Sequence, residues 1–164
     1  MYDTLDLYRR QSLILPVDKV KDLKFCLIGC GSLGSTIGLS LSLCGASNWA
    51  LFDGDYVEPH NRSNQVFLNE NASYSCGVID VLSHTKAEQL STLICALASQ
   101  ELNITAYPSH FRSIGPHIKE LKNSDVVILA TDSLESRKLV YEQEAYPDVL
   151  LDARSARTIL QFFC

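Results

Sequence analysis

The chain has 164 residues, 46% of them hydrophobic and 20% charged, with a formal net charge of −5. That length suits one domain with a real core, and the acidic balance argues against a nucleic-acid surface, which ordinarily carries a basic stripe. No apolar run approaches the roughly 18 residues a membrane span needs, the opening MYDTLDLYRRQ has no signal-like apolar core, and six cysteines without a C-x-x-C pair suggest neither a zinc site nor a disulfide scaffold.

Residues 1–23 mix acids, bases and apolar side chains. Leu5, Leu7, Tyr8 and Leu13 predict a short helix packed on the domain and broken at Pro16. Arg9-Arg10-Gln11 reads, on charge alone, as a solvated cationic patch. Phe25-Cys26-Leu27-Ile28 then has the pattern of a buried strand. It ends at Gly29-Cys30-Gly31-Ser32-Leu33-Gly34, a G-x-G-x-x-G turn. A helical pattern runs on to Leu43 and is stopped by Gly45. A second strand, Trp49 to Phe52, ends in Asp53.

Strand, glycine turn, helix, strand and an acid about 20 residues past the glycines make a dinucleotide fingerprint. Gly29 can take the angles of a tight turn, Gly31 keeps no side chain between a phosphate and the amides, and Gly34 lets the helix approach the strand. The helix N-terminus offers free N–H groups to an anion. Asp53 stands where a carboxylate would accept ribose hydroxyls. A glycine turn used only for packing would look similar in isolation; the flanking pattern and Asp53 favour nucleotide binding.

Gly54 to Gln65 is polar, contains Pro59 and has no clean period, so a loop is expected. It follows the carboxyl end of a strand, where doubly wound sheets place ligands. Asp55, Asn61, Arg62, Asn64 and Gln65 crowd this rim; an ordinary solvated loop would carry them too, but acids, amides and an arginine beside a phosphate turn are also what a nucleotide pocket requires. Residues 69–73 suggest another loop, and Val78 to Leu82 a short turn of structure. Residues 85–99 predict an amphipathic helix with Ala87, Leu90, Leu93, Ile94 and Leu97 inward, capped by Ser83 or Thr85. Lys86 falls in its first turn, where acids are preferred. It is either solvated there or placed to meet a bound anion.

Strand follows at Asn103–Tyr107 and helix at Ile114–Leu121, with Ile118 and Leu121 inward. Asp125 to Ala130 has the continuous apolar character of a parallel strand covered on both faces, and it leads into Thr131-Asp132-Ser133. Helix is predicted from Ser133 to Tyr146, and strands at Val149–Asp152 and Thr158–Phe163. The whole predicts an α/β chain with a Rossmann-like, doubly wound, mostly parallel sheet ending in additional strands. Cys26, Cys44 and Cys95 read as reduced core thiols, which fits a cytoplasmic address.

In this order the motifs resemble those of the ThiF/MoeB/HesA superfamily, enzymes that activate ubiquitin-like and sulfur-carrier proteins. The matching pieces are Tyr8-Arg9-Arg10-Gln11, the turn Gly29 to Gly34, and Asp53-Gly54-Asp55-Tyr56-Val57. Asn61-Arg62-Ser63-Asn64-Gln65, Lys86-Ala87 and Thr131-Asp132 continue the series. The resemblance implies a single ThiF-type adenylation domain over residues 1–164, short at its C-terminal end. It implies binding of ATP and Mg²⁺, and attack of a partner's C-terminal carboxylate on the α-phosphorus. Asp53 would hold the ribose, Asp132 the metal, and Lys86 and Arg10 the phosphates, with Arg10 donated across a homodimer. Asp55 is a further acid at the rim.

Departures from the family pattern bear on these expectations. Asn64 stands where the family has arginine, and an amide does not replace a guanidinium on phosphate; Arg62 is the candidate substitute. Ser32 replaces a frequent third glycine. Family members usually continue through a crossover loop and often a nucleophilic cysteine. Cys164 aligns poorly with that role and reads better as a core or edge cysteine, and Phe162 and Phe163 would need covering. Two alternatives stand beside the activating enzyme. One is an inactive dimerisation or partner-binding module, favoured by Asn64. The other is a nicotinamide-dependent oxidoreductase on the same fold, disfavoured by Asp55, Lys86 and Asp132.

Overall fold

The structure, a computed structural model, describes residues 4–67, 73–74, 77–78, 84–143, 147–156 and 159–163. Its centre is β1 (Lys24–Ile28). On one side β1 pairs in parallel with β2 (Asn48–Phe52), which pairs with β5 (Asn103–Tyr107). On the other side it pairs in parallel with β6 (Val126–Leu129), which pairs with β7 (Val149–Ala156). β8 (Ile159–Phe163) closes the six-stranded order β5-β2-β1-β6-β7-β8, antiparallel to β7. A short antiparallel pair, β3 (Ser73–Tyr74) and β4 (Gly77–Val78), stands apart. This is the mixed, mostly parallel Rossmann-like sheet that the alternation of strand and helix patterns predicts.

Alternation along β1 explains the layers. Phe25 and Leu27 point into one core, with Trp49, Leu51 and Ile128. Leu90 and Ile94 of α4 (Lys86–Leu97) close it. Cys26 and Ile28 point into the opposite core with Ala50, Phe52 and Val127. Leu121 of α5 (Gly115–Lys122) and Val140 of α6 (Leu134–Tyr141) cover that face. A strand buried on both faces has to be apolar throughout, and this one is. Fully burying a side chain such as Leu27 contributes about 1.5–3 kcal/mol.

Helix α3 (Ser32–Leu43) buries Gly34, Ser35, Gly38 and Ser42, a stripe of small side chains. A Cβ at Gly38 would meet Leu27 at 3.1 Å and Leu90 at 3.3 Å, so the stripe brings α3 close to both sheet and α4. Gly45, with φ of 110°, turns the chain out of α3. Helix α4 starts in a capping box: Thr85 N–H donates to Glu88 Oε2 at 2.8 Å, and the Thr85 hydroxyl accepts from the Glu88 N–H.

The N-terminal segment, α1 (Thr4–Leu7) and α2 (Val17–Val20), docks through Tyr8 and Gln11. Tyr8 is buried, and its hydroxyl donates to Gln100 Oε1. Gln11 Nε2 donates to the Cys44 carbonyl at 2.6 Å.

Several expectations change. Leu13 is 98% exposed and does not pack on the domain. Leu97 and Cys95 also face outward on α4; Leu97 lies at the last turn, past the edge of the sheet-facing stripe. The stretch after Asp53 contains a 3-10 turn, Pro59–Ser63, started by the fixed φ of Pro59 and by Asn61 Oδ1 accepting the Glu58 N–H. Helix α6 ends at Tyr141; residues 144–146 lie outside the described residues. So do residues 79–83, Cys164 and the side chains of Phe162 and Phe163. No helix among the described residues is long and apolar enough to cross a membrane.

Candidate functional site

The carboxyl ends of β1, β2 and β6 converge on a cleft of about 730 Å³, within the range of small-molecule sites. It lies beside β1, where successive connections leave in opposite directions.

The floor is the glycine turn. Gly29 has φ of 93°, and a Cβ there would meet Thr131 N at 2.7 Å. Gly34 lies against it: a Cβ at Gly34 would stand 1.8 Å from the Gly29 carbonyl oxygen. Gly31 is different. It lines the cleft, and a Cβ there would meet nothing among the described residues within 4 Å. The three glycines thus divide: Gly29 takes the positive φ of the turn, Gly34 lets α3 pack against it, and Gly31 leaves open space before the first turn of α3. That turn directs unpaired N–H groups outward, an environment suited to an anion.

Asp53, at the end of β2, is 8% exposed. Its Oδ2 accepts the Cys30 N–H at 2.8 Å, bracing the glycine turn, and its Oδ1 accepts the Asp55 N–H at 2.9 Å. Burial raises its pKa above the ordinary carboxylate value, against the lowering by those N–H groups and by Lys86. Each oxygen keeps a lone pair for a further donor, which would offset that burial. The Cys30 thiol is pushed well up, first by burial and next by Asp53, and is no nucleophile.

Asp55 and Lys86 are joined twice. The Lys86 N–H donates to the Asp55 carbonyl at 2.7 Å, and Lys86 Nζ lies 3.1 Å from Asp55 Oδ2. Lys86, though at the positive end of α4, is therefore held by an acid on the cleft rim. His110 Nε2 is 3.7 Å from Asp55 Oδ1. Ligand atoms of Asp53, Asp55 and His110 all lie within 4.8 Å of one another, but the Lys86 ammonium already balances charge there. Asp132 stands exposed on the opposite side, after β6, lining the same cleft. A single carboxylate so placed fits an ion held chiefly by phosphate oxygens.

The remaining expected residues separate. Gln65 lines the cleft, and its Oε1 is buried without a hydrogen-bond partner among the described residues. Asn61 is buried in its 3-10 turn and does not reach the cleft. Asn64 is exposed and lies off the cleft. The Arg62 backbone belongs to that turn, while its side chain lies outside the described residues. Arg10 is exposed and does not line its own chain's cleft.

Sequence reasoning missed part of the wall. Arg137 of α6 is buried, yet it lines the cleft. Its Nη2 donates to the carbonyls of Thr131 at 2.5 Å and Ala153 at 3.0 Å, and its guanidinium is ion-paired with the fully buried Asp152. Asp152 Oδ2 also accepts from Tyr141 at 2.9 Å and Arg154 Nε at 3.0 Å. This network ties the Thr131-Asp132 turn to β7. An arginine four residues past a serine N-cap, on the inward side of a helix, was the available signal. The loop between β5 and α5 was also missed; it brings His110, Phe111, Arg112 and Ser113 into the cleft.

Fold and cleft together define a Rossmann-like α/β protein with a polar, glycine-floored site at its topological switch point. The model of the ThiF family matches residues 8–147, and the chain belongs to the ThiF family. It is similar to the adenylyltransferase and sulfurtransferase MOCS3 of Dictyostelium discoideum, at 29% identity over 141 residues, 83% of this chain and 31% of that protein. Ubiquitin-like modifier-activating enzyme 5 of Rattus norvegicus is 23% identical over 141 residues, 85% of this chain and 34% of that protein. The chain thus spans about a third of the length of the curated relatives it matches. Among solved structures, E. coli MccB with AMPCPP and MccA superposes with a TM-score of 0.74 at 20% identity, covering 99% of this chain and 48% of that one. E. coli threonylcarbamoyladenosine dehydratase TcdA in complex with ATP gives 0.71 at 19% identity, covering 90% and 58%.

Proposed function

We propose that the cleft binds Mg·ATP and that the chain adenylates the C-terminal carboxylate of a ubiquitin-like or sulfur-carrier protein. The observation that carries this reading is the open space at Gly31 before the first turn of α3, facing Lys86 and Asp132 across one cleft. In the reaction, a carboxylate oxygen forms a bond to the α-phosphorus and the bond to the β-phosphate oxygen breaks, releasing pyrophosphate. Electrostatics and positioning carry such a transfer. Asp53 would accept hydrogen bonds from the ribose hydroxyls, and Gln65, whose Oε1 has no partner among the described residues, would accept one from a further donor on the nucleotide. The N–H groups of α3 and the Lys86 ammonium would balance phosphate charge; Lys86 reaches it by turning from Asp55. Asp132 would hold Mg²⁺, which supplies charge neutralisation when bound.

Arg10 belongs to this reading only as a residue given to a second subunit's cleft, in a homodimer or heterodimer, because it does not line its own. The free cysteines Cys26, Cys30 and Cys44 fit a cytoplasmic setting. Similar proteins support this choice of partner class: MccB was solved with MccA, and the relative from rat is a ubiquitin-like modifier-activating enzyme.

Calorimetry with Mg·ATP and with NAD, on wild type and Asp132→Ala, tests the reading. Magnesium-dependent ATP binding lost in Asp132→Ala is expected, followed by pyrophosphate exchange with a cognate carrier. NAD binding without ATP binding favours an oxidoreductase. Binding of neither favours a partner-docking module.

A further inference from the structure

The loop that brings residues 110–113 into the cleft is tied at both ends to one ring, and at its middle Ser136 Oγ donates to the Phe111 carbonyl at 3.5 Å. His117 sits in the first turns of α5 and is 4% exposed. Its ring packs on Phe52 at 4.8 Å, Tyr107 at 5.8 Å and Phe111 at 5.7 Å between centroids. His117 Nδ1 accepts the Arg112 N–H at 3.0 Å, so Nδ1 carries a lone pair. The proton of a neutral ring is then on Nε2, which lies 3.3 Å from Ser109 Oγ and donates to it. Ser109 and Arg112 are thereby tied to one ring, with His110 and Phe111 between them. The loop in turn rests on the turn that carries Asp53 and Asp55: a Cβ at Gly54 would meet His110 N at 2.9 Å.

Arg112 is what this wall offers a ligand. Of the cations lining the cleft, Lys86 is paired with Asp55 and Arg137 with Asp152. Arg112 is exposed at the cleft and makes no ion pair among the described residues. Asn64 provides neither charge nor contact there. We propose that Arg112 is an anion ligand of the bound nucleotide and that His117, as the neutral Nε2–H tautomer, is the residue that positions it. This rests on the nucleotide-binding reading above and adds to it a specific source of phosphate affinity. The charged or titratable groups around the ring are Arg112 and His110 on the loop, Tyr107 with its partner Glu120 at 3.0 Å, and Asp53 and Asp55 on the turn beneath. Burial and then the charge of Arg112 lower the His117 pKa below its ordinary value, which agrees with the neutral ring the geometry requires.

The test compares Mg·ATP with adenosine, because only the former carries phosphate. Arg112→Gln, an exposed change that leaves the fold intact, is expected to weaken ATP about 10- to 100-fold and adenosine less than about 2-fold. His117→Asn keeps an acceptor near the Nδ1 position and is expected to stay within about 3-fold of wild type. His117→Gln moves the amide toward Nε2 and is expected to behave like Arg112→Gln. Nitrogen NMR of the free protein near pH 7 should show Nε2 protonated and Nδ1 bare. A charged ring or the opposite tautomer overturns the proposal. So does an unchanged ATP-to-adenosine ratio in Arg112→Gln, in particular if Arg62→Gln shows the loss instead. If wild type binds neither ligand, the nucleotide reading itself fails and takes the role of Arg112 with it. That differs from wild type and Arg112→Gln binding ATP equally, which sinks this proposal alone.

Discussion

Replacing Gly34 by alanine adds one methyl group where the helix touches the glycine turn. Its Cβ would stand 1.8 Å from the Gly29 carbonyl oxygen, 2.9 Å from the carbonyl carbon and 3.3 Å from Ala130 Cβ. Restoring even 3.0 Å requires α3 to withdraw by about 1.2 Å. A backbone oxygen has no rotamer through which to yield. The turn has little room to retreat either, because Gly29 packs on Ala130 and Thr131 so closely that even a Cβ there would stand 2.8 Å from the Ala130 carbonyl oxygen. Overpacking usually costs 1–3 kcal/mol, and with relief blocked on both sides we predict about 3 kcal/mol, a fall in Tm of about 6–12 °C. Gly31→Ala is the control. It has φ of −72°, its Cβ would meet nothing among the described residues within 4 Å, and the change loses only the helix-start preference of glycine, about 1 kcal/mol or less. Its methyl group occupies the approach to the α3 amides, so Mg·ATP affinity is predicted to fall about tenfold or more. Thermal unfolding and calorimetry on both variants separate the roles. Equal stability of Gly34→Ala and Gly31→Ala would refute the close-packing argument.

Asp152→Asn leaves the Arg137 guanidinium buried without its charge partner, and we predict a loss of about 3–5 kcal/mol in urea unfolding; a loss below about 1 kcal/mol would mean the network is not what holds β7 to α6. The Glu88 pKa is lowered, first by the Thr85 N–H, so its contribution to stability is present above the ordinary value of 4.5 and is lost as pH falls through the lowered one. Glu88→Gln should therefore flatten that acid limb, and an unchanged limb counts against the capping box. The lowered pKa of His117 means the unfolded chain takes up its proton first as pH drops below 6.5. Stability linked to this ring is full above that value and declines toward the lowered one, and His117→Asn should abolish the decline in denaturation curves collected across that range.

The parts of the fold legible in sequence are those fixed by local pattern. β1 is apolar throughout because both faces are covered, and the glycines after it have steric reasons that a linear string displays. Lys86 and Asp132 were legible as residues at element ends, and both line the cleft. What was not legible depends on contacts between distant segments. Arg137 and Asp152 belong to a helix and a strand whose pairing no spacing announces. The loop at 109–113 has no motif, because its place in the cleft comes from His117 and Ser136 behind it. Leu13 fitted a helical stripe, yet α1 stops at Leu7 and leaves it in solvent. In Tyr8-Arg9-Arg10-Gln11, Tyr8 and Gln11 make the intramolecular bonds while Arg9 and Arg10 face outward.

The central position of β1 has a consequence for how the cleft comes into being. Its pairing with β2 closes a short loop, but the Lys24 N–H is held by Asp125 Oδ2, a contact spanning 101 positions. Bringing such remote segments together costs chain entropy before any pairing rewards it. The ribose side of the cleft, built on β1 and β2, is thus assembled from neighbours, whereas the side bearing Asp132 waits for β6 to join the opposite edge. During refolding, amides of β2 should gain protection from hydrogen exchange before those of β6, and the site becomes whole only with the later event.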